Sequence, residues 1–139
     1  PVGLGVDGAA SNESARLLEE AHQAVLMARA RGGPTALSTR TALELATLGG
    51  ARVLGRAEEI GSVEVGKFAD LVLWDLSTAA HRDIDDPVAA LVLGAIPPIR
   101  ASWVHGRSII DDGEVRTVDL DQVTRDVARE HDRLIARAG

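Results

Sequence analysis

The chain has 139 residues, with 15 Lys+Arg against 21 Asp+Glu, four His, no Cys, no Tyr, two Trp and one Phe. A formal net charge of −6 offers no basic face for a phosphate backbone, and so few aromatic rings cannot build a base-stacking platform. The lack of Cys excludes disulfides, thiolate zinc sites and Cys nucleophiles, and no apolar run approaches the ~20 residues of a membrane span. No basic-then-apolar signal opens the chain, and 45% apolar residues suffice for a core, so a soluble, cytoplasmic protein without nucleic-acid or membrane partners is expected.

Pro1-Val2-Gly3-Leu4-Gly5-Val6-Asp7 reads as a buried strand, because it is mostly apolar without polar alternation. Parallel strands need neighbours, yet the next fifty residues read as helix, so the chain is expected to be the tail of a longer one. Ser11 and Asn12 are N-cap candidates for a helix with Leu17, Leu18, Ala21, Val25 and Ala28 on one face, stopped at Gly32-Gly33-Pro34. A second helix starts near Ser38 or Thr39, with Thr41 and Glu44 in capping-box spacing, and runs to Gly49-Gly50. Ala51 to Leu54 add a short helical piece.

From Ile60 the periodicity changes. Residues 60–67 read as a turn-rich approach to a short strand, Ala69 to Asp75. Asp85-Asp86-Pro87 caps a helix through Leu93 that ends before Pro97-Pro98. Ile99 to His105 and Arg107 to Ile110 bracket a turn at Gly106, and Asp112-Gly113 is a second turn signal. Leu120 to Arg137 is an amphipathic helix with Leu120, Val123, Val127, His131 and Leu134 in one stripe and an Asp121–Arg125 pair on its wet face.

Gly3 to Gly8 spells G-x-G-x-x-G, but its glycines lie within the strand and an acid sits inside the motif, so dinucleotide binding is rejected. Asp7 stands out instead. It would sit at the C-terminal end of a strand, where β/α architectures carry their chemistry, and a carboxylate there can hold a metal or take a proton from water. The plain alternative is an Asp that caps its own turn. Ser11 and Asn12 could line the same pocket or simply cap the helix. His22, His81, His105 and His131 show neither H-x-H nor H-E-x-x-H spacing, and His131 reads as a core or snorkelling residue. The acids at 83, 85 and 86 suit a helix N-terminus, and Asp70, Asp75, Asp111 and Asp112 look like edge and turn residues.

The order of segments resembles the C-terminal third of a metal-dependent amidohydrolase. The likeness is carried by Gly5-Val6-Asp7-Gly8 with Ser11-Asn12, then Ala46 to Gly55, then Ile60 to Asp75, then the Val104 to Gly113 hairpin. Gly3 to Asn12 and Asp86 to Val92 are most similar to the 8-oxoguanine deaminase branch, beside the triazine hydrolases and the cytosine and guanine deaminases.

The resemblance implies an α/β fold: the last strand and helices of a (β/α)8 barrel at residues 1–55, part of a flanking β-sandwich at 56–118 and a C-terminal helix at 119–139. It implies hydrolytic deamination of an aminated heterocycle, 8-oxoguanine or a related purine, with water as co-substrate and a homo-oligomeric full-length enzyme. It also implies one divalent metal, zinc or alternatively iron(II). Asp7 maps onto the family's metal-site aspartate and proton acceptor, with Gly8, Ser11 and Asn12 near the substrate. The family's H-x-H pair, its later histidines and its acid near the fifth strand have no counterpart here. Because a catalytic zinc takes three protein ligands, the isolated chain is expected to bind no catalytic metal and to be inactive. The non-enzymatic alternative is an oligomerisation module.

Overall fold

The computed structural model describes residues 1–8 and 10–138. Residues 1–8 run into a loop that leads to α1 (Leu17–Gly32), followed by α2 (Thr39–Glu44), a π-turn (Leu45–Gly49) and α3 (Gly50–Val53). Next come β1 (Leu71–Trp74), α4 (Pro87–Leu93), β2 (Ile99–Val104), β3 (Arg107–Asp111), β4 (Glu114–Val115) and α5 (Leu120–Ala138).

The helical half is held by small residues. Ala21 and Val25 of α1, Ala42 of α2 and Val92 of α4 form the buried cluster, with Leu4, Leu37, Leu43 and Val88 packed against it. Val25 and Val92 are the largest fully buried side chains, so the three helices approach closely around a thin core. Local chemistry sets most helix ends. Ser38 caps α2 by accepting the Thr41 N–H at 3.0 Å, so the cap lies one turn before the Thr41–Glu44 pair. Asp86 caps α4 by accepting from Val88 N–H at 2.9 Å, with Pro87 in the first turn as expected. Gly33 ends α1 at φ 86°, a conformation that favours glycine.

The start of α1 differs from expectation. The helix begins at Leu17 after Arg16, which offers no side-chain cap. Asn12 closes a local turn instead, accepting from the Ser14 N–H and hydroxyl, and its amide donates to Glu20 at 2.7 Å. Such short-range bonds compete with helix initiation. Residues 1–8 also form no strand ladder among the described residues. Among the described residues, their one backbone tie to another segment is Leu4 N–H to the Leu45 carbonyl, and no strand there pairs with them.

The sheet is an antiparallel meander in the order β1-β2-β3-β4, and the short fourth strand was not foreseen. Val72 faces Ser102, and Ser102 in turn faces Ile110, with bulges at Leu73/Trp74 and Ser102/Trp103. Both hairpins turn on left-handed pairs: His105 (φ 52°) with Gly106 (φ 75°), and Asp112 (φ 50°) with Gly113 (φ 79°). These match the primed turns that suit strand twist. Asp70 accepts the His105 N–H at 2.6 Å and ties the first turn to the foot of β1.

α5 leaves its apolar stripe uncovered: Val127 and Leu134 are each 64% exposed, and His131 is exposed too. The expected Asp121–Arg125 pair is replaced by Arg125 donating to Gln122 at 2.9 Å. The accessible surface totals 9807 Å² for 14.6 kDa. A self-contained domain of that mass exposes about 6,900 Å². Large apolar side chains are among the exposed ones, with Val65 and Val63 almost fully exposed. Among the described residues no helix is long and apolar enough to cross a membrane.

Candidate functional site

Asp7 ends the extended N-terminal segment, and the segment's position is set from behind. The Leu4 side chain packs on the helical core, and its N–H donates to the Leu45 carbonyl at 3.2 Å. Just upstream the backbone touches the π-turn through glycines on both sides. A Cβ on Gly3 would lie 2.8 Å from Gly50 Cα, and one on Gly49 would lie 2.5 Å from the Val2 carbonyl oxygen. Only hydrogen fits in either place.

Asp7 itself is exposed and adopts φ 61°, a left-handed conformation that Asp tolerates better than most residues. Its Oδ1 accepts the Gly8 N–H at 2.7 Å, which fixes the rotation of the carboxylate. The Gly8 carbonyl accepts from the N–H groups of Ser11 (2.9 Å) and Asn12 (3.0 Å). The loop therefore brings Asp7, Gly8, Ser11 and Asn12 together. Within it the Asn12 side chain is engaged with Glu20 and Ser14, whereas Ser11 is exposed beside Gly8.

The histidines stand apart from this loop. His22 Nδ1 meets the Val92 carbonyl at 3.0 Å. His81 is buried between the Thr78 hydroxyl and the Ala95 carbonyl, each at 2.7 Å. Since a carbonyl only accepts, His81 Nε2 carries a proton. His105 sits in the hairpin turn with its ring 4.3 Å from that of Phe68. A cavity of about 290 Å³ between α1 and the end of α4 is lined by Glu19, His22, Gln23 and Ile96 among others, and by no residue of the Asp7 loop.

The carboxylates pushed clearly below their ordinary range lie elsewhere. The Ser77 hydroxyl and N–H hold Asp75 down, the Ser62 hydroxyl and then Lys67 hold Glu64 down, and the Ser14 hydroxyl does the same for Glu19.

A carboxylate suits zinc, but a catalytic zinc takes three protein ligands. Among the described residues no three His, Cys, Asp or Glu come together to hold a metal ion. The exposed Asp7 carboxylate is of the kind that zinc takes as one of its ligands.

The residues that position the loop, Gly49 and the π-turn before it, were not singled out in the sequence as part of a site. Their one signal was a Gly-Gly pair inside a helical pattern, which reads more simply as a helix end.

The amidohydrolase family model matches residues 1–109. A 5-methylthioadenosine/S-adenosylhomocysteine deaminase of Desulforudis audaxviator is 41% identical over 136 residues, covering 96% of this chain and 32% of that protein. An 8-oxoguanine deaminase of Pseudomonas aeruginosa is 41% identical over 120 residues, covering 86% of this chain and 26% of that protein. Among solved structures, an adenosine deaminase of Xanthomonas campestris with bound zinc superposes with a TM-score of 0.91 at 34% identity, covering 96% of this chain and 31% of that one. The zinc complex of an atrazine chlorohydrolase from Arthrobacter aurescens superposes with a TM-score of 0.84 at 28% identity, covering 92% and 29%. The chain thus spans about a third or less of the length of these relatives. Both the match along its length and the resemblance drawn from its motifs lead to one conclusion: the chain belongs to the amidohydrolase family.

Proposed function

We propose that the protein carrying this chain is a metal-dependent aminohydrolase that removes an exocyclic amino group from a purine-type heterocycle by hydrolysis, and that Asp7 is the carboxylate this chain gives to the site. The observation that carries the reading is Asp7 itself: exposed, left-handed, rotationally fixed by Gly8, and placed by Leu4 and two glycine contacts within the region that matches the family. Residues 1–55 then form the last strand and helices of a (β/α)8 barrel, residues 56–118 a share of a β-sandwich, and residues 119–139 the closing helix.

The chemistry that a divalent metal, here zinc, supplies when bound is acidification of a water molecule. Asp7 would be one of the residues that hold the metal, and its carboxylate would accept a proton from the attacking water and return it towards the departing amine. Gly8 keeps the carboxylate from rotating away, and Ser11 flanks it on the substrate side. The substrate is an aminated ring, 8-oxoguanine or a related purine. The named activities of the relatives also include deamination of 5-methylthioadenosine, S-adenosylhomocysteine and 5'-deoxyadenosine, so both free bases and nucleosides belong in the screen.

The test is ammonia release by the zinc-loaded full-length protein with 8-oxoguanine, guanine and 5-methylthioadenosine. Turnover of one of them that falls at least a thousandfold in Asp7→Asn is the expected result. Wild-type turnover in Asp7→Asn refutes the role of Asp7, and absence of ammonia from every ring refutes the reaction class.

A further inference from the structure

We propose that Gly49 is a positioning residue for Asp7, with the π-turn Leu45–Gly49 as the device that sets how far the Asp7 segment stands from the helices. The inference rests on the reading of Asp7 given above. π-turns are rare and interrupt the regular i→i−4 ladder. Here the Leu45 carbonyl receives the Leu4 N–H at 3.2 Å, among the described residues the one backbone tie between the Asp7 segment and the helical body. Thr47 supports the same turn, its hydroxyl donating to the Leu43 carbonyl at 2.8 Å and less closely to that of Glu44 at 3.4 Å.

Gly49 is buried, and its missing Cβ leaves the space occupied by the Val2 carbonyl oxygen. A Cβ placed there at 2.5 Å must retreat by roughly 1 Å to reach ordinary contact. The Leu4 side chain is only partly buried against the core, so it yields with the displaced backbone and the shift passes through Gly5 and Val6 to Asp7. A misplacement of about 1 Å at a reacting group costs up to about a hundredfold in rate. The neighbouring Gly50 is the internal control, because a Cβ on it meets nothing within 4 Å. The two Gly→Ala changes are chemically identical and adjacent, and only the first presses on the Asp7 segment.

The experiment compares Gly49→Ala, Gly50→Ala and Asp7→Asn in the full-length protein, measuring ammonia release from 8-oxoguanine or 5-methylthioadenosine and zinc affinity of the apo-protein by chelator competition. The expected result for Gly49→Ala is a kcat at least tenfold lower with KM within threefold, and zinc affinity at least fivefold weaker. Gly50→Ala should match wild type in all three. Gly49→Ala that matches Gly50→Ala in kcat and zinc affinity, or that lowers only the melting temperature, overturns the proposal. Asp7→Asn separates the two readings. Wild-type turnover there sinks the role of Asp7 and the positioning proposal with it, whereas loss there beside wild-type behaviour in Gly49→Ala sinks the positioning proposal alone. If Gly49→Ala does not fold, Thr47→Val tests the same turn without adding bulk at the contact. A threefold or greater loss of kcat with weakened zinc affinity supports the proposal, and no change overturns it.

Discussion

Replacing Lys67 with Met should loosen residues 55–68 without disturbing the rest of the molecule. Lys67 is an unusual lysine, with only 10% of its side chain exposed. Its Nζ donates to the Ala57 carbonyl and the Ser62 hydroxyl, both at 2.6 Å, and lies 3.1 Å from Glu64. The segment it spans also depends on Gly61, whose φ of 92° and close approach to Leu48 and Ala51 leave no space for a side chain. Two charge-assisted hydrogen bonds contribute about 3–6 kcal/mol together. Freeing the side chain returns about 2 kcal/mol of rotamer entropy. The pair with the exposed Glu64 adds little. The net loss is about 2 kcal/mol, confined to the loop.

Hydrogen exchange on the full-length protein reads that loss directly. The Phe68 N–H, bonded to the Glu59 carbonyl at 2.8 Å, reports whether the loop is closed. A local opening made easier by about 2 kcal/mol lowers its protection by about thirtyfold at 25 °C. Amides of α1 should be unaffected. A fall of less than threefold at Phe68 would refute the clasp, and an equal fall in α1 would refute its local character.

Ser77→Ala should raise the Asp75 pKa towards the ordinary aspartate value, because the lost hydroxyl is the largest cause of its depression while the Ser77 N–H remains; carboxyl NMR titration checks this. Asp75, Glu64 and Glu19 are all held below their unfolded values, so their contribution to stability is complete above about pH 4.5. It fades as the pH falls through the lowered values, and a melting temperature that instead rises on acidification contradicts the assignment. His81→Phe keeps the ring but strands the Ala95 carbonyl and the Thr78 hydroxyl, and should cost about 2 kcal/mol in urea unfolding. Val25→Ala opens a hole at a fully buried position and should cost a similar amount, about 2 kcal/mol by the same assay.

How far the sequence revealed these features depended on the range of the physics involved. Asp86-Pro87, Ser38, Gly33, Gly106 and Asp112-Gly113 were legible because a cap or tight turn is decided within four residues. Asn12 was misread for the same reason: a short polar side chain can cap a helix or close its own turn, and here the bond to Glu20 one turn inside α1 favours the turn. The segment at residues 1–7 was legible as an apolar run, but a ladder is a relation between distant strands, and among the described residues none pairs with it. The π-turn left almost no trace, since a single turn of five residues is too short to register as a change of period. Asp7 could be singled out from position and chemistry, whereas the glycine contact that places it joins residues 2 and 49.

The proposed activity divides between what this segment contributes and what the rest of the protein contributes. Two relatives match it at the same 41% identity over largely the same region, yet one is named for 5-methylthioadenosine and S-adenosylhomocysteine and the other for 8-oxoguanine. Under the proposed function, this segment contributes to the shared reaction rather than to the choice of substrate. On that proposal its contribution is the Asp7 carboxylate bonded to its own neighbour, with the helical layer that the Gly3 and Gly49 contacts hold beside it. Substitutions at Gly49 or Thr47 should therefore change kcat on every substrate of the full-length enzyme by the same factor. A change in the ratio between substrates must come from residues that touch the ring and sugar. Measuring both ratios in one Gly49→Ala preparation sets the two against each other: a positioning device alters the rate and leaves the preference alone.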